Sequence, residues 1–138
     1  MAASARDAGW ENEIVLVAED TLLPYHRPPL SKGLLTGKTA VTDIPLRGES
    51  WYQRNRIVRL TGRRVVALDR HRRRIILQGG EQVSYSRLGL ATGARVRRLS
   101  LPGSELDGVL YLRDFADVET LNSQLQQAQS AVVIGGGF

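Results

Sequence analysis

Three short groups of residues in this sequence have types and spacings that suit chemistry on a nucleotide. The first is Gly135-Gly136-Gly137, which follows the apolar run Ala131-Val132-Val133-Ile134. A buried strand that runs into Gly-x-Gly opens a dinucleotide-binding unit, because one glycine permits the tight turn and the next lets backbone approach a pyrophosphate. Gly135 and Gly137 are expected to shape that turn. The second group is Glu19-Asp20, which closes the apolar stretch 13–18. A carboxylate at the end of the second strand of a βαβ unit accepts both hydroxyls of a ribose. Glu19 is the first choice and Asp20 its rival, since position alone separates them poorly. The third group is Pro24-Tyr25-His26-Arg27-Pro28-Pro29-Leu30-Ser31-Lys32. Three prolines within six residues can neither continue a helix nor fill a central strand, so the segment reads as a rigid loop of the kind that clamps a cofactor.

The surrounding pattern supplies the elements that must hold these groups. Residues 2–9 read as a short helix that ends at Gly9, and residues 13–18 as a parallel strand. Ser31 is expected to cap a short helix through Leu34 and Leu35, and Ser50 to open another around Trp51 and Tyr52. Residues 57–60 read as a strand. Beyond Arg63 the pattern turns to short β segments: 65–68 pairs with 74–77 through a basic turn, Gly79-Gly80 makes a second turn, and 82–85 follows. Residues 88–93 read as one more strand, closed by Gly93. Asp114 or Asp117 caps a helix carrying Val118, Leu121, Leu125 and Ala128 at helical spacing. The expected class is α/β: a partial Rossmann-like FAD/NAD(P)-binding unit with a β-meander crossover. Residues 1–130 are expected to be a partial FAD-binding domain lacking its first strand and glycine loop, and residues 131–138 the first strand and turn of an NAD(P)-binding domain.

Composition narrows the alternatives. At 138 residues and 42% hydrophobic content the chain can bury the core of one ordinary domain. The formal charge of +5 raises nucleic acid as a partner, but all the basic residues except Lys32 and Lys38 are arginines, and the densest cluster, Arg70-His71-Arg72-Arg73-Arg74, sits between two apolar strands as a solvated turn. Nucleic acid is therefore set aside. There is no cysteine, so disulfides, thiolate metal sites and thiol redox chemistry are excluded within these residues. No metal site is assigned. No run of 18 apolar residues exists to span a membrane, and a cytoplasmic location is expected. His26 and His71 read as bystanders, and Asp114 with Asp117 as a cap rather than a paired-carboxylate centre.

Four of these segments, in this order, resemble one family. Pro24-Tyr25-His26-Arg27-Pro28-Pro29-Leu30-Ser31-Lys32 is similar to its Pro-Tyr-x-Arg-Pro-Pro-Leu-Ser-Lys segment, and Tyr85-Ser86-Arg87-Leu88-Gly89-Leu90-Ala91-Thr92-Gly93-Ala94 to its Tyr-Asp-x-Leu-Val-Leu-Ala-Thr-Gly-Ala. Gly108-Val109-Leu110-Tyr111-Leu112-Arg113 and Val132-Val133-Ile134-Gly135-Gly136-Gly137-Phe138 follow. The family is the FAD-dependent, NAD(P)H-using ferredoxin reductases of the pyridine nucleotide-disulfide oxidoreductase superfamily. The resemblance implies that Glu19 bonds the adenosine ribose of FAD and that Val65 meets the adenine through its backbone. It implies that Lys32 lies beside the isoalloxazine, where a cation favours charge on the reduced ring. Arg27 helps neutralise the pyrophosphate or fixes the same loop. Ala91, Thr92 and Gly93 pass close to FAD, Arg113 reaches the flavin region, and Gly135 and Gly137 lie under the nicotinamide dinucleotide. Departures are Gly89 for a branched residue, Ser86 for an acid and Ala18 for a glycine; none removes a group the chemistry needs.

The resemblance further implies that NAD(P)H reduces the flavin, which passes electrons singly to a ferredoxin-type iron–sulfur protein. The cofactors carry that chemistry, and no side chain is assigned a catalytic role. Without a Cys-x-x-x-x-Cys pair after the strand 13–18, a disulfide relay at the flavin is not expected. The chain is expected to be a piece cut within two nucleotide units, binding FAD poorly alone. An NAD(P)H oxidase, a nitrite-reductase-like flavoprotein and a noncatalytic basic binding module are the competing readings.

Overall fold

Strand pairing organises the first half of the chain. The structure, a computed structural model, describes residues 1–135. Two compact units interleave along the sequence: Met1–Tyr25 with Pro45–Thr92, and His26–Ile44 with the chain from Gly93 onward.

In the first unit, α1 (Ala2–Asp7) ends before Gly9, whose φ of +83° is the left-handed conformation that glycine adopts without strain. β1 (Ile14–Val17) and β2 (Ile57–Leu60) pair in parallel, Ile14 opposite Ile57 and Val17 opposite Leu60. Between them in sequence, α2 (Glu49–Arg54) starts from Gly48, not from Ser50, and no side chain caps it. Glu49 in its first turn and Arg54 in its last suit the helix dipole, which compensates in part for the missing cap. Tyr52 of α2 is buried, with Trp51 edge-on at 5.2 Å and the Arg59 guanidinium 5.0 Å above its ring. Burial pushes the Tyr52 phenol pKa up, against the lowering effect of Arg59. The expected meander is present: β3 (Val65–Asp69), β4 (Arg74–Leu77) and β5 (Gln82–Ser84) form an antiparallel sheet in sequence order, with an irregularity between Val65 and Ala67. Ile75 and Leu77 of β4, together with Tyr52 and Ile57, are the buried apolar residues of this unit.

The second unit contains two 3₁₀ helices, Pro28–Ser31 and Val41–Asp43, and α3 (Phe115–Leu125). Ser31 is the last residue of its 3₁₀ helix rather than the cap of a new one, because Pro28 and Pro29 pre-set the first turn and tighten it. α3 is capped reciprocally: the Asp114 carboxylate accepts from the Asp117 amide at 3.1 Å, and the Asp117 carboxylate accepts from the Asp114 amide at 3.0 Å. α3 packs on the Pro28–Ser31 helix, and Leu30, Leu34, Ile44 and Val118 make the core.

Two expected strands are not formed. Residues 88–93 and 131–134 have no ladder among the described residues. A strand exists only through a neighbour that takes its amides and carbonyls, and β propensity does not replace one. The apolar side chains are correspondingly bare: Leu90 is 68% exposed, and Val132, Val133 and Ile134 are 89%, 85% and 75% exposed.

Candidate functional site

The parallel pair carries the chain past its own end. The amide of Ala18 donates to the Leu60 carbonyl at 3.0 Å, the Arg63 amide to Ala18 O at 2.9 Å and the Gly62 amide to Asp20 O at 3.1 Å. Gly62, with φ +65°, makes the turn that lets residues 62–64 lie along 18–20. Along this zipper the two carboxylates differ in their partners. Both oxygens of Asp20 are engaged, Oδ1 by the Leu22 amide and Oδ2 by the Tyr25 hydroxyl, each at 3.0 Å. Asp20 is a loop-fixing residue. Glu19 is exposed; its Oε1 accepts from Arg64 Nη1 at 2.8 Å, and its Oε2 has no partner among the described residues. A carboxylate with an open oxygen at the end of a βαβ-type strand is what a ribose needs. Val65 begins β3 one residue after Arg64 and is 44% exposed.

In the second unit the proline loop is held at both ends. The His26 amide donates to Ile44 O at 2.9 Å, and the 3₁₀ turn closes through Leu30 N to Arg27 O at 3.0 Å. The chain then coils tightly: Leu34 N reaches Pro29 O at 2.9 Å, Thr36 N reaches Lys32 O at 3.0 Å and Lys38 N reaches Gly33 O at 2.8 Å. Gly33 is packed tightly against Thr39: a Cβ at this position would lie 2.1 Å from Thr39 Oγ1, so the threonine side chain would have to move. The sequence reading passed over Gly33; the only signal was its place directly after Lys32. Lys32 is exposed, and its ammonium has no ion-pair partner among the described residues. A rigid turn that ends in an unpaired cation suits a group on which negative charge develops.

Arg27, Arg113 and Gly93 come together within the same unit. Arg27 Nη1 donates to the Arg113 carbonyl, and Arg113 Nε donates to Ala94 O at 3.2 Å. A Cβ on Gly93 would sit 3.5 Å from Arg113 Nη2, and Gly93 has φ +68°. Arg27 therefore fixes the loop segment that carries Arg113. The Arg113 amide also donates to Asp117 Oδ2 at 2.7 Å, so the α3 cap holds the same residue from the other side. Tyr111 adds a brace, its hydroxyl accepting from the Leu99 amide at 3.0 Å while Arg98 lies 5.1 Å over its ring. Ala91 and Thr92 are exposed and belong to the first unit, on the unpaired stretch. Gly135 has φ +91°, as a tight turn requires; Gly137 lies outside the described residues.

The basic turn is largely a local affair. Asp69 Oδ1 accepts from the Arg72 amide at 2.9 Å, and Oδ2 accepts from Arg74 Nε at 3.2 Å. The Arg72 amide, with help from Arg74, holds the Asp69 carboxyl below its usual range. Arg74 also bonds the Gln82 side chain at 2.6 Å, across β4 and β5. Two of the turn's arginines are thus occupied in making the hairpin. Among the described residues no group of His, Cys, Asp and Glu is placed to hold a metal ion.

The family model for pyridine nucleotide-disulphide oxidoreductases matches residues 1–138. The chain belongs to this family. Its fold is the Rossmann-like α/β fold of FAD- and NAD-binding reductases, and FAD and NAD(P)H are the family's cofactors. Rubredoxin-NAD(+) reductase of Pseudomonas putida is 43% identical over 132 residues, covering 96% of this chain and 34% of the relative. A ferredoxin reductase from Rhodopseudomonas palustris superposes with a TM-score of 0.84 at 36% identity, over 91% of this chain and 31% of that one. The reductase in a covalent putidaredoxin reductase–putidaredoxin complex gives a TM-score of 0.80 at 39% identity, over 90% of this chain and 30% of that one. The chain spans about a third of the length of the curated relatives it matches.

Proposed function

We propose that the chain provides flavin-binding surface to an FAD-dependent oxidoreductase that takes electrons from NAD(P)H and delivers them to a ferredoxin-type iron–sulfur protein. Residues 1–130 are read as part of the FAD-binding domain and residues 131–138 as the opening of the NAD(P)-binding domain. The observation that carries this reading is the contrast at Glu19-Asp20: Asp20 is spent on its loop, whereas Glu19 keeps an open oxygen where a nucleotide ribose would bind. The names of the relatives, reductases of rubredoxin and putidaredoxin, support the acceptor class.

The donor set fits FAD. When bound, that cofactor supplies hydride acceptance and single-electron release. Glu19 accepts hydrogen bonds from the adenosine ribose, and the backbone at Val65 meets the adenine. Lys32 offers a cation where ring charge develops. Arg27 and Arg113 hold the loops near the pyrophosphate and flavin, and Gly93 leaves room that a Cβ would fill. Ala91 and Thr92 lie along the cofactor, and Gly135 opens the turn under the nicotinamide dinucleotide. The hairpin arginines leave a net positive surface suited to steering an acidic iron–sulfur partner. No helix among the described residues is long and apolar enough to cross a membrane, and we place the protein in the cytoplasm.

The test is FAD retention. Purified full gene product, incubated with FAD and freed of excess by gel filtration, is expected to keep about one flavin per chain, seen as protein-bound absorbance. Residues 1–138 alone, which span about a third of the length of the relatives, are expected to retain much less. A colourless full gene product would remove the proposal.

A further inference from the structure

Arg64 is the one partner of the Glu19 carboxylate among the described residues, and the fold places it there deliberately. Its backbone is pinned on both sides: the Arg63 amide bonds Ala18 O, and Arg64 O accepts from the Gln78 amide at 2.8 Å. The residue is therefore fixed between the end of β1 and the start of β3, the two places assigned to ribose and adenine. The pair is exposed, with the Glu19 side chain 66% and the Arg64 side chain 49% accessible. Pairs this wet contribute little to folding, so fold stability does not account for it.

We infer that Arg64 is a positioning residue for the adenosine end of the FAD site, acting through Glu19. A carboxylate offers about four lone-pair directions. Arg64 takes one of them on Oε1 and leaves Oε2 untouched, so the side chain is oriented before the nucleotide arrives and still has capacity for two ribose hydroxyls. An unpaired glutamate on a strand end samples many rotamers and must be ordered on binding; a charge-assisted bond removes part of that cost beforehand. The inference rests on the ribose role of Glu19 in the proposed function.

The experiment measures FAD and FMN dissociation constants, by flavin fluorescence, on the full gene product and on Arg64→Ala, Arg64→Lys, Glu19→Gln and the double variant Glu19→Gln/Arg64→Ala. Arg64→Ala is expected to weaken FAD about tenfold. Arg64→Lys should restore most of that loss, and the double variant should bind no worse than Glu19→Gln. FMN, which lacks the adenosine half, should bind all of them alike. If Arg64→Ala binds FAD as the parent does while Glu19→Gln is impaired, the inference fails and the ribose reading survives. If Arg64→Ala weakens FMN as much as FAD, the residue is merely structural and the inference again fails. If Glu19→Gln leaves FAD affinity unchanged, the ribose reading itself fails and takes the inference with it.

Discussion

Lys32 has an environment opposite to that of the ion-paired arginines. Arg59, Arg64, Arg72 and Arg74 are each paired to a carboxylate, and Asp69 is drawn down by the Arg72 amide and Arg74. Lys32 ends a turn locked by Pro28, Pro29 and the Gly33–Thr39 contact, and its ammonium has no ion pair among the described residues. Its one charge is thus available to a ligand. In the flavin-loaded gene product, Lys32→Met is expected to lower the two-electron midpoint potential by about 30 mV, the equivalent of losing about 1.4 kcal/mol of stabilisation of the reduced ring. Equilibration with a reference dye during reduction reads the shift. An unchanged potential would mean that Lys32 lies away from the isoalloxazine.

At the scale of elements, the first unit depends on an arginine that the sequence did not mark. Arg6 in the last turn of α1 donates to four carbonyls: Asn55 and Arg56 just past α2, Trp10, and Asn12 ahead of β1. The carbonyls at a helix C-terminus have no partners within the helix, and a cation there meets both the need for donors and the helix dipole. One side chain thereby joins α1, the approach to β1 and the exit of α2. Arg6→Ala is expected to cost about 2 kcal/mol, the order for hydrogen bonds to a charged group, and a fall in the urea midpoint at unchanged slope would show it. Arg6→Lys should not recover the loss, because an ammonium cannot reproduce the planar fork. The α2 start was misplaced for a related reason. Ser50 is a good cap by type, yet Gly48 already has the extended backbone that an N-cap needs, so the helix begins earlier.

Across the whole chain, what the sequence made legible was whatever is local. The hairpin of β3 and β4, the Asp114–Asp117 cap, the Pro28–Pro29 turn and the glycine that ends α1 all depend on neighbours a few residues away. The candidate site was legible as residue types, and Glu19, Arg27, Lys32, Gly93 and Arg113 were named from motifs. What remained hidden is long-range: Arg64 reaching Glu19 and Arg27 reaching Arg113. Residues 88–93 and 131–134 show the converse, since strong β propensity without a neighbouring strand leaves only exposed apolar chain. Val132, Val133 and Ile134 together form a short, uncharged, β-prone stretch that invites association. Purified residues 1–138 are expected to self-associate with concentration, and Val133→Lys to delay this; light scattering that is identical for both would place the sticky surface elsewhere.

The interleaving of the two units also bears on how the polypeptide emerges from the ribosome. Ile14 cannot find Ile57 until the whole proline segment has been synthesised, and that segment awaits Val118 for its own core. Such non-local closure slows acquisition of native structure. β1 therefore waits, apolar and unpaired, until residues 57–60 have been made, which is the interval in which a nascent-chain chaperone has something to hold.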